Sequence, residues 1–243
     1  MPNIRRMMMA ASGAGGEPLQ WDVTSLASIP DSKSISAEEG NSSSVFVKED
    51  DGTKFYLLGR GNNAVYQYTM STPWDISTGS YASKSFSLAA SFAGTNNPTS
   101  LYVRPDGLKA YVGEYGSSSA ADDGVIYQYT MSSTWDVSTM SYDSASINIT
   151  TAQADGEIFR CFDIQPDGKR LILNMYPKSE DVNFQSWVMS TPWNITTATL
   201  ESSTSVSGFT GLIEEIHVRP DGLQVTFSSS ATDTVDGLTM GAL

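Results

Sequence analysis

Thiol and imidazole chemistry are nearly missing from this chain of 243 residues: it has one cysteine, Cys161, and one histidine, His217. One cysteine excludes an internal disulfide and any cysteine-based zinc cluster. One histidine leaves a catalytic zinc without its usual several nitrogen ligands, and leaves a Ser-His-Asp triad a single candidate base in "EEIHVRPDG", with no motif around it. Positive charge is also scarce, with 14 Lys and Arg against 27 Asp and Glu, a formal net charge of −13. Such a surface repels phosphate backbones and anionic lipid, so neither nucleic acid nor membrane is expected as a partner. No apolar run approaches the roughly 20 residues of a membrane span, and "MMMAASGAGG" is too short and too rich in Gly and Ser for a signal peptide. No glycine-rich phosphate loop and no Asp-rich calcium loop is present, and no cofactor or metal is expected.

What is abundant is repetition. "VYQYTMSTPWDIST" at 65 to 78 returns as "IYQYTMSSTWDVST" at 126 to 139. Trp21, Trp74, Trp135 and Trp193 recur at intervals of 53, 61 and 58 residues, and each is followed by a short acid or amide, Asp22, Asp75, Asp136 or Asn194. An Asp-Gly turn recurs in "EDDG", "RPDG", "QPDG" and "RPDG", placing Asp51, Asp106, Asp167 and Asp221 at hairpin turns, and Met70, Met131, Met189 and Met240 close a later segment of each copy. Pro presets the first turn residue and Gly supplies a positive φ, so "PTSLYVRPDG" and "LKAYVGEYG" read as a hairpin. "GVIYQYTM" and the alternating "MSYDSASINIT" add a third and a half-exposed fourth strand.

Four antiparallel strands repeated four times predict an all-β fold, a four-bladed β-propeller of four-stranded blades. A core of roughly 70 to 75% of the extended-chain surface needs no staples at this length. Tyr68, Tyr129, Trp187 and Leu238 share one position and are expected in the core. If the strand before each turn is innermost, the chain opens with an outer strand, about Ser25 to Ser36, and ends on a third strand, about Thr234 to Met240. The N-terminal strand would then complete the last blade and close the ring. A different phase, or two chains sharing an eight-bladed ring, fits the same pattern.

The repeat "YQYTMSTPWDISTGSYASKSFS…NPTSLYVRPDGLKAYVG" resembles the propeller repeats of structural proteins of marine bacteriophages, and more distantly YVTN-type propeller repeats. The start "MPNIRRMMMAASGAGG" is similar to the opening of such virion proteins. The resemblance implies a non-enzymatic particle component located in the virion, with capsid, tail or portal subunits as partners and no catalytic residue. Residues 1–20 form an arm outside the propeller of 21–243. In that arm Ile4, Met7, Met8 and Met9 are expected to dock on a partner while Arg5 and Arg6 pair with its carboxylates. An arm folded back on its own propeller is the alternative.

Two other readings stand beside this one. A carbohydrate- or receptor-binding head would use Tyr115 and Tyr176, after second strands, as rim contacts to a host-surface glycan. A propeller hydrolase of lactonase type has against it the lack of histidines and of any acid, base and metal cluster at matching strand positions, and Glu214 and Glu215 are the acids whose substitution would test it; Asp122 and Asp123 are further non-repeated acids, in the long insertion "GSSSAADDG". Cys161, between Phe159 and Phe162, and His217 are read as packing residues.

Overall fold

The computed structural model describes residues 32–92, 97–115, 124–149, 158–176, 182–206, 213–218, 224–229 and 234–239. Its strands fall into sheets in chain order. Blade 1 is β1 (Ser42–Val47), β2 (Lys54–Gly59), β3 (Ala64–Met70) and β4 (Gly79–Ser87). Blade 2 is β5 (Pro98–Val103), β6 (Lys109–Glu114), β7 (Val125–Met131) and β8 (Met140–Asn148). Blade 3 is β9 (Ile158–Ile164), β10 (Arg170–Tyr176), β11 (Val182–Met189) and β12 (Ala198–Val206). Blade 4 has β13 (Ile213–Val218), β14 (Gln224–Ser229) and β15 (Thr234–Thr239). Every pairing is antiparallel between consecutive strands. The first strands meet one another, β1 against β5, β5 against β9 and β9 against β13, as inner strands of propeller blades do.

The recurring tryptophan is explained by the recurring glycine. Gly52, Gly107 and Gly168 take φ of +62°, +71° and +70° and lie under the indoles of Trp74, Trp135 and Trp193. Each Trp N–H donates to its glycine carbonyl at 2.8 to 2.9 Å. These tryptophans themselves sit at φ of 67°, 59° and 64°, a region that costs a bulky residue energy and persists only when contacts overdetermine it. The following side chain closes the turn: Asp75, Asp136 and Asn194 accept from the N–H of Ser77, Ser138 and Thr196.

The same loop latches onto the blade before it. Tyr56 Oη donates to the Trp135 carbonyl at 3.0 Å, and the Val137 N–H donates to Gln67 Oε1 at 3.1 Å. Tyr111 and Gln128 repeat both bonds, to the Trp193 carbonyl and from the Ile195 N–H. A continuous apolar core fills the seams between blades 1, 2 and 3, with Tyr129 and Trp187 in it; Tyr68 is buried on the opposite face of blade 1. Leu238 lies on β15, and its side chain falls outside the described ones. A smaller cluster of Cys161, Ile172, Ile213, Ile216 and Val218 joins blade 3 to blade 4.

Among the described residues the expected N-terminal outer strand is not found. Residues 25–31 lie outside the described ones, residues 32–35 carry no strand, and the described sheet of blade 4 has three strands. Instead the segment from Ile35 turns against blade 1: Ile35 packs on the cluster of Phe55, Leu57 and Tyr68, and Tyr68 Oη donates to Glu38 Oε2 at 2.9 Å. Glu39 is buried over Gly59 and Gly61, accepting from the N–H groups of Asn41 and Asn62. A side chain at either glycine would occupy the space of that carboxylate.

Ion pairs across the blades set the acid response. Burial alone would push Asp136 and Asp143 up, but Lys84 and Ser138 hold Asp136, and Lys109, Gln128 and Thr130 hold Asp143, below the usual carboxylate range. Arg170 and Ser186 lower Glu201 in the same direction. A carboxylate depressed in the folded state stabilises above its unfolded pKa and loses that contribution as pH falls through the folded value. The urea midpoint should therefore drop below about pH 4. Asp143→Asn should flatten that drop, which chemical denaturation between pH 3 and 7 will read.

Candidate functional site

All four inner strands carry a β-bulge at one equivalent place, leaving Ser43, Thr99, Arg160 and Glu214 as the extra residues. Bulges re-aim side chains and are common beside functional sites. Here the bulged residues lie at the start of each inner strand, the end opposite the Asp-Gly turns. In blades 1 and 2 they are Ser and Thr; in blades 3 and 4 they are an opposite-charge pair. Arg160 Nη2 donates to Glu214 Oε1 at 3.2 Å, and the guanidinium lies 5.3 Å from the centre of the Tyr115 ring. Arg160 is largely covered, its side chain 13% exposed, whereas that of Glu214 is 47% exposed and reaches solvent.

The next residue of each strand forms a second set: Ser44, Ser100, Cys161 and Glu215. Ser44 Oγ donates to Glu215 Oε1 at 3.3 Å, joining blade 1 to blade 4. Thus Glu214 reaches back to blade 3 while Glu215 reaches forward to blade 1. The Cys161 Sγ lies 4.0 Å from the Ile213 carbonyl: burial pushes its thiol well up, Glu215 and Glu214 push it further and Arg160 opposes them. A thiol so held stays protonated and is no nucleophile. Native protein should resist a thiol reagent for hours and react stoichiometrically in urea, as a colorimetric thiol assay will show.

His217 is tied down as well. Its Nδ1 lies 3.2 Å from Asp163 Oδ2, and the same buried carboxylate accepts from the N–H groups of Ile164 and Val218 at 2.8 and 2.7 Å. Among the described residues His217 Nε2 is sealed from solvent and meets no partner, so the pair braces blade 3 against blade 4 and presents no base to a substrate. Among the described residues no three His, Cys, Asp or Glu side chains gather as a metal-holding group, and no helix is long and apolar enough to cross a membrane.

Tyr115, expected at a rim, directly follows β6 and belongs to this site, as do Glu214 and Glu215. Tyr176 is the last residue of β10, in a strand and not on a loop, and its side chain falls outside the described ones. Ile4, Arg5, Arg6, Met7, Met8 and Met9, with Asp122 and Asp123, lie outside the described residues. Arg160 and Ser44 carry no motif. Only writing the four inner strands in register would have singled out Arg160 and Glu214 as the charged pair at one position.

No protein-family model and no curated protein matches the chain. Solved structures do. A Bacteroides fragilis protein assigned as a 6-phosphogluconolactonase aligns with a TM-score of 0.50 at 14% identity, covering 82% of this chain and 51% of that one. The periplasmic gluconolactonase of Pseudomonas aeruginosa aligns at 0.49 and 14% identity, over 82% and 50%. The Cps50 (Swd1) β-propeller domain of Myceliophteria thermophila aligns at 0.47 and 10% identity, over 82% and 54%. The chain spans about half the length of these structures. The fold is that of a β-propeller.

None of these proteins is a phage protein or a YVTN repeat, and the expectation of a virion structural protein is corrected accordingly. The physical reason lies in the residues that carried the resemblance. The Trp-Asp, Pro-Asp-Gly and Tyr-Gln-Tyr strings are used up in turns, indole-glycine contacts and blade latches, so likeness in them speaks of architecture and not of a particle.

Proposed function

We propose that the chain is a four-bladed propeller that hydrolyses lactones where its inner strands begin. This departs from the non-enzymatic expectation drawn from the repeat. The observation that carries it is the Arg160–Glu214 pair beside the Ser44–Glu215 pair, contributed by blades 1, 3 and 4. The Bacteroides fragilis propeller supports it by reaction class alone.

In this reading Glu215, oriented by the Ser44 hydroxyl, takes a proton from water as the water oxygen bonds to the lactone carbonyl carbon. Arg160, held by Glu214 and flanked by Tyr115, turns a remaining N–H to the developing oxyanion. Collapse breaks the ring C–O bond, the alkoxide recovers the proton from Glu215, and a hydroxy acid leaves. Both groups are supplied by the protein, so no metal is required.

The Ser44–Glu215 hydrogen bond, between the first and last inner strands, supports the reading of a ring of four. A monomer with a radius of gyration of about 18 Å fits that ring, whereas an obligate dimer would fit the shared eight-bladed one. For the chemistry, a pH-stat assay over aldonolactones should show turnover above spontaneous opening. Glu215→Gln or Arg160→Met should each lower kcat/KM about a hundredfold. Turnover absent throughout, or unchanged in both variants, would sink the hydrolytic reading.

A further inference from the structure

The latch tyrosines Tyr56 and Tyr111 hold one position on blades 1 and 2, so the residues four places further on, Arg60 and Tyr115, are equivalent. Along β2 the side chains alternate between two faces. Phe55 and Leu57 belong to the cluster of blade 1 alone, and Gly59 lies under Glu39, whereas Tyr56 and Leu58 join the core shared with blade 2. The Arg60 N–H still donates to the Asn41 carbonyl at 2.8 Å, so the ladder and its alternation continue, and Arg60 takes the face of Tyr56 and Leu58. It therefore turns away from Glu39 and toward blade 2, just as Tyr115 turns toward blade 3 and meets the bulged Arg160 at 5.3 Å. By the same geometry Arg60 stands beside the bulged Thr99, since β2 runs against β5.

Arg60 also shares a face with a residue of the proposed site. Ser44 pairs with Leu58, which makes Arg60 its diagonal neighbour, about 7 to 8 Å away along the backbone and within reach of a long side chain. Arg60 is half-buried, yet its Nε is sealed from solvent and meets no hydrogen-bond partner. A covered N–H of a charged group is costly to leave without an acceptor, and a ligand that supplies one binds the more tightly. We infer that Arg60 selects the substrate by receiving a carboxylate on it, so that the site prefers the lactone of a sugar diacid to that of a neutral sugar acid; this rests on the hydrolytic reading above. Nε and one terminal nitrogen lie in one plane and offer two parallel N–H bonds to the two oxygens of a carboxylate. The seam between two packed blades admits that flat group edge-on. A tetrahedral phosphate is thicker and brings two negative charges to a single guanidinium edge. With its carboxylate on Arg60, a sugar-sized ring extends toward Ser44 and Glu215, where water is to be activated.

Three lactones test this at low salt: glucarolactone with one free carboxylate, glucono-δ-lactone with none, and the phosphate ester of the latter. Glucarolactone should exceed both others in kcat/KM by about tenfold or more, chiefly through KM. Arg60→Met and Arg60→Gln should each remove most of that preference, whereas an arginine that only supports the fold would lower all three rates alike. Preference for the neutral or the phosphorylated lactone, or a preference for glucarolactone that survives both variants, overturns the inference and leaves the hydrolytic reading standing. If no lactone turns over, the hydrolytic reading falls, and calorimetric titration with glucuronate and glucose decides this one. Tighter binding of glucuronate that is lost in Arg60→Met sustains the carboxylate site. Equal binding, binding of neither, or binding indifferent to the substitution overturns it.

Discussion

Gly107→Ala is expected to cost about 3 to 5 kcal/mol of stability, a fall in Tm of roughly 10 °C for a chain of this size. Two penalties combine. The glycine sits at φ +71°, where an L side chain is strained, and the added Cβ would lie 2.6 Å from atoms of the Trp135 indole. The indole has little room to give way, because its own residue donates to the Gly107 carbonyl at 2.9 Å and its ring lies against Tyr56 of the preceding blade. The effect therefore crosses a seam. Moving Trp135 would also disturb the Tyr56 and Gln67 latches, although neither residue touches the mutated glycine. Removing the obstacle tests the account: in Trp135→Ala the further change Gly107→Ala should cost only the backbone part, a non-additivity of about 1 to 2 kcal/mol. Gly40→Ala, with nothing within 4 Å of the new Cβ and no positive φ, is the matched control and should be near neutral. Full additivity would show that the indole-glycine contact does not constrain the blade.

The residues that make this contact recur, and that is why they were legible before any coordinates. A Trp every 53 to 61 residues, an Asp-Gly turn and a closing Met announce one packing solution used again and again. The strand order, the hairpin turns, the buried Tyr68 and Tyr129, and the capping roles of Asp75 and Asp136 all follow from that period. The site did not follow from it. A bulge needs no particular side chain, so Ser43, Thr99, Arg160 and Glu214 share a backbone position without sharing any chemistry. Contacts such as Arg160–Glu214 and Ser44–Glu215 join residues 54 and 171 positions apart, and depend on how whole blades turn toward one another. The closing strand was inferred from the phase of the turns alone, and the phase says nothing of the face-on contact by which the described part of that segment lies on blade 1, where Glu38 and Glu39 find their donors.

Departures from the period locate the second large effect. Blade 3 has Ile172 and Ser186 where blades 1 and 2 carry the latch residues Tyr56 or Tyr111 and Gln67 or Gln128, so it cannot grip the next blade in the same way. Its inner strand compensates with Asp163, standing where Phe46 and Tyr102 stand in the other two. One carboxylate, 6% exposed, takes the Val218 N–H at 2.7 Å and the His217 ring at 3.2 Å, stitching β9 to β13. Asp163→Ala leaves the Val218 amide buried without an acceptor and the imidazole without its anion, and should cost about 3 to 5 kcal/mol. Asp163→Asn keeps one acceptor and should cost about half as much. The loss should also be local. Blades 1 to 3 keep their latches and their common core, so urea should separate two transitions, with far-UV circular dichroism beginning to fall before the fluorescence of Trp74, Trp135 and Trp193. A single coincident transition in Asp163→Ala, displaced by less than about 1 kcal/mol, would mean that the apolar cluster of Cys161, Ile172, Ile213 and Val218 holds blade 4 unaided.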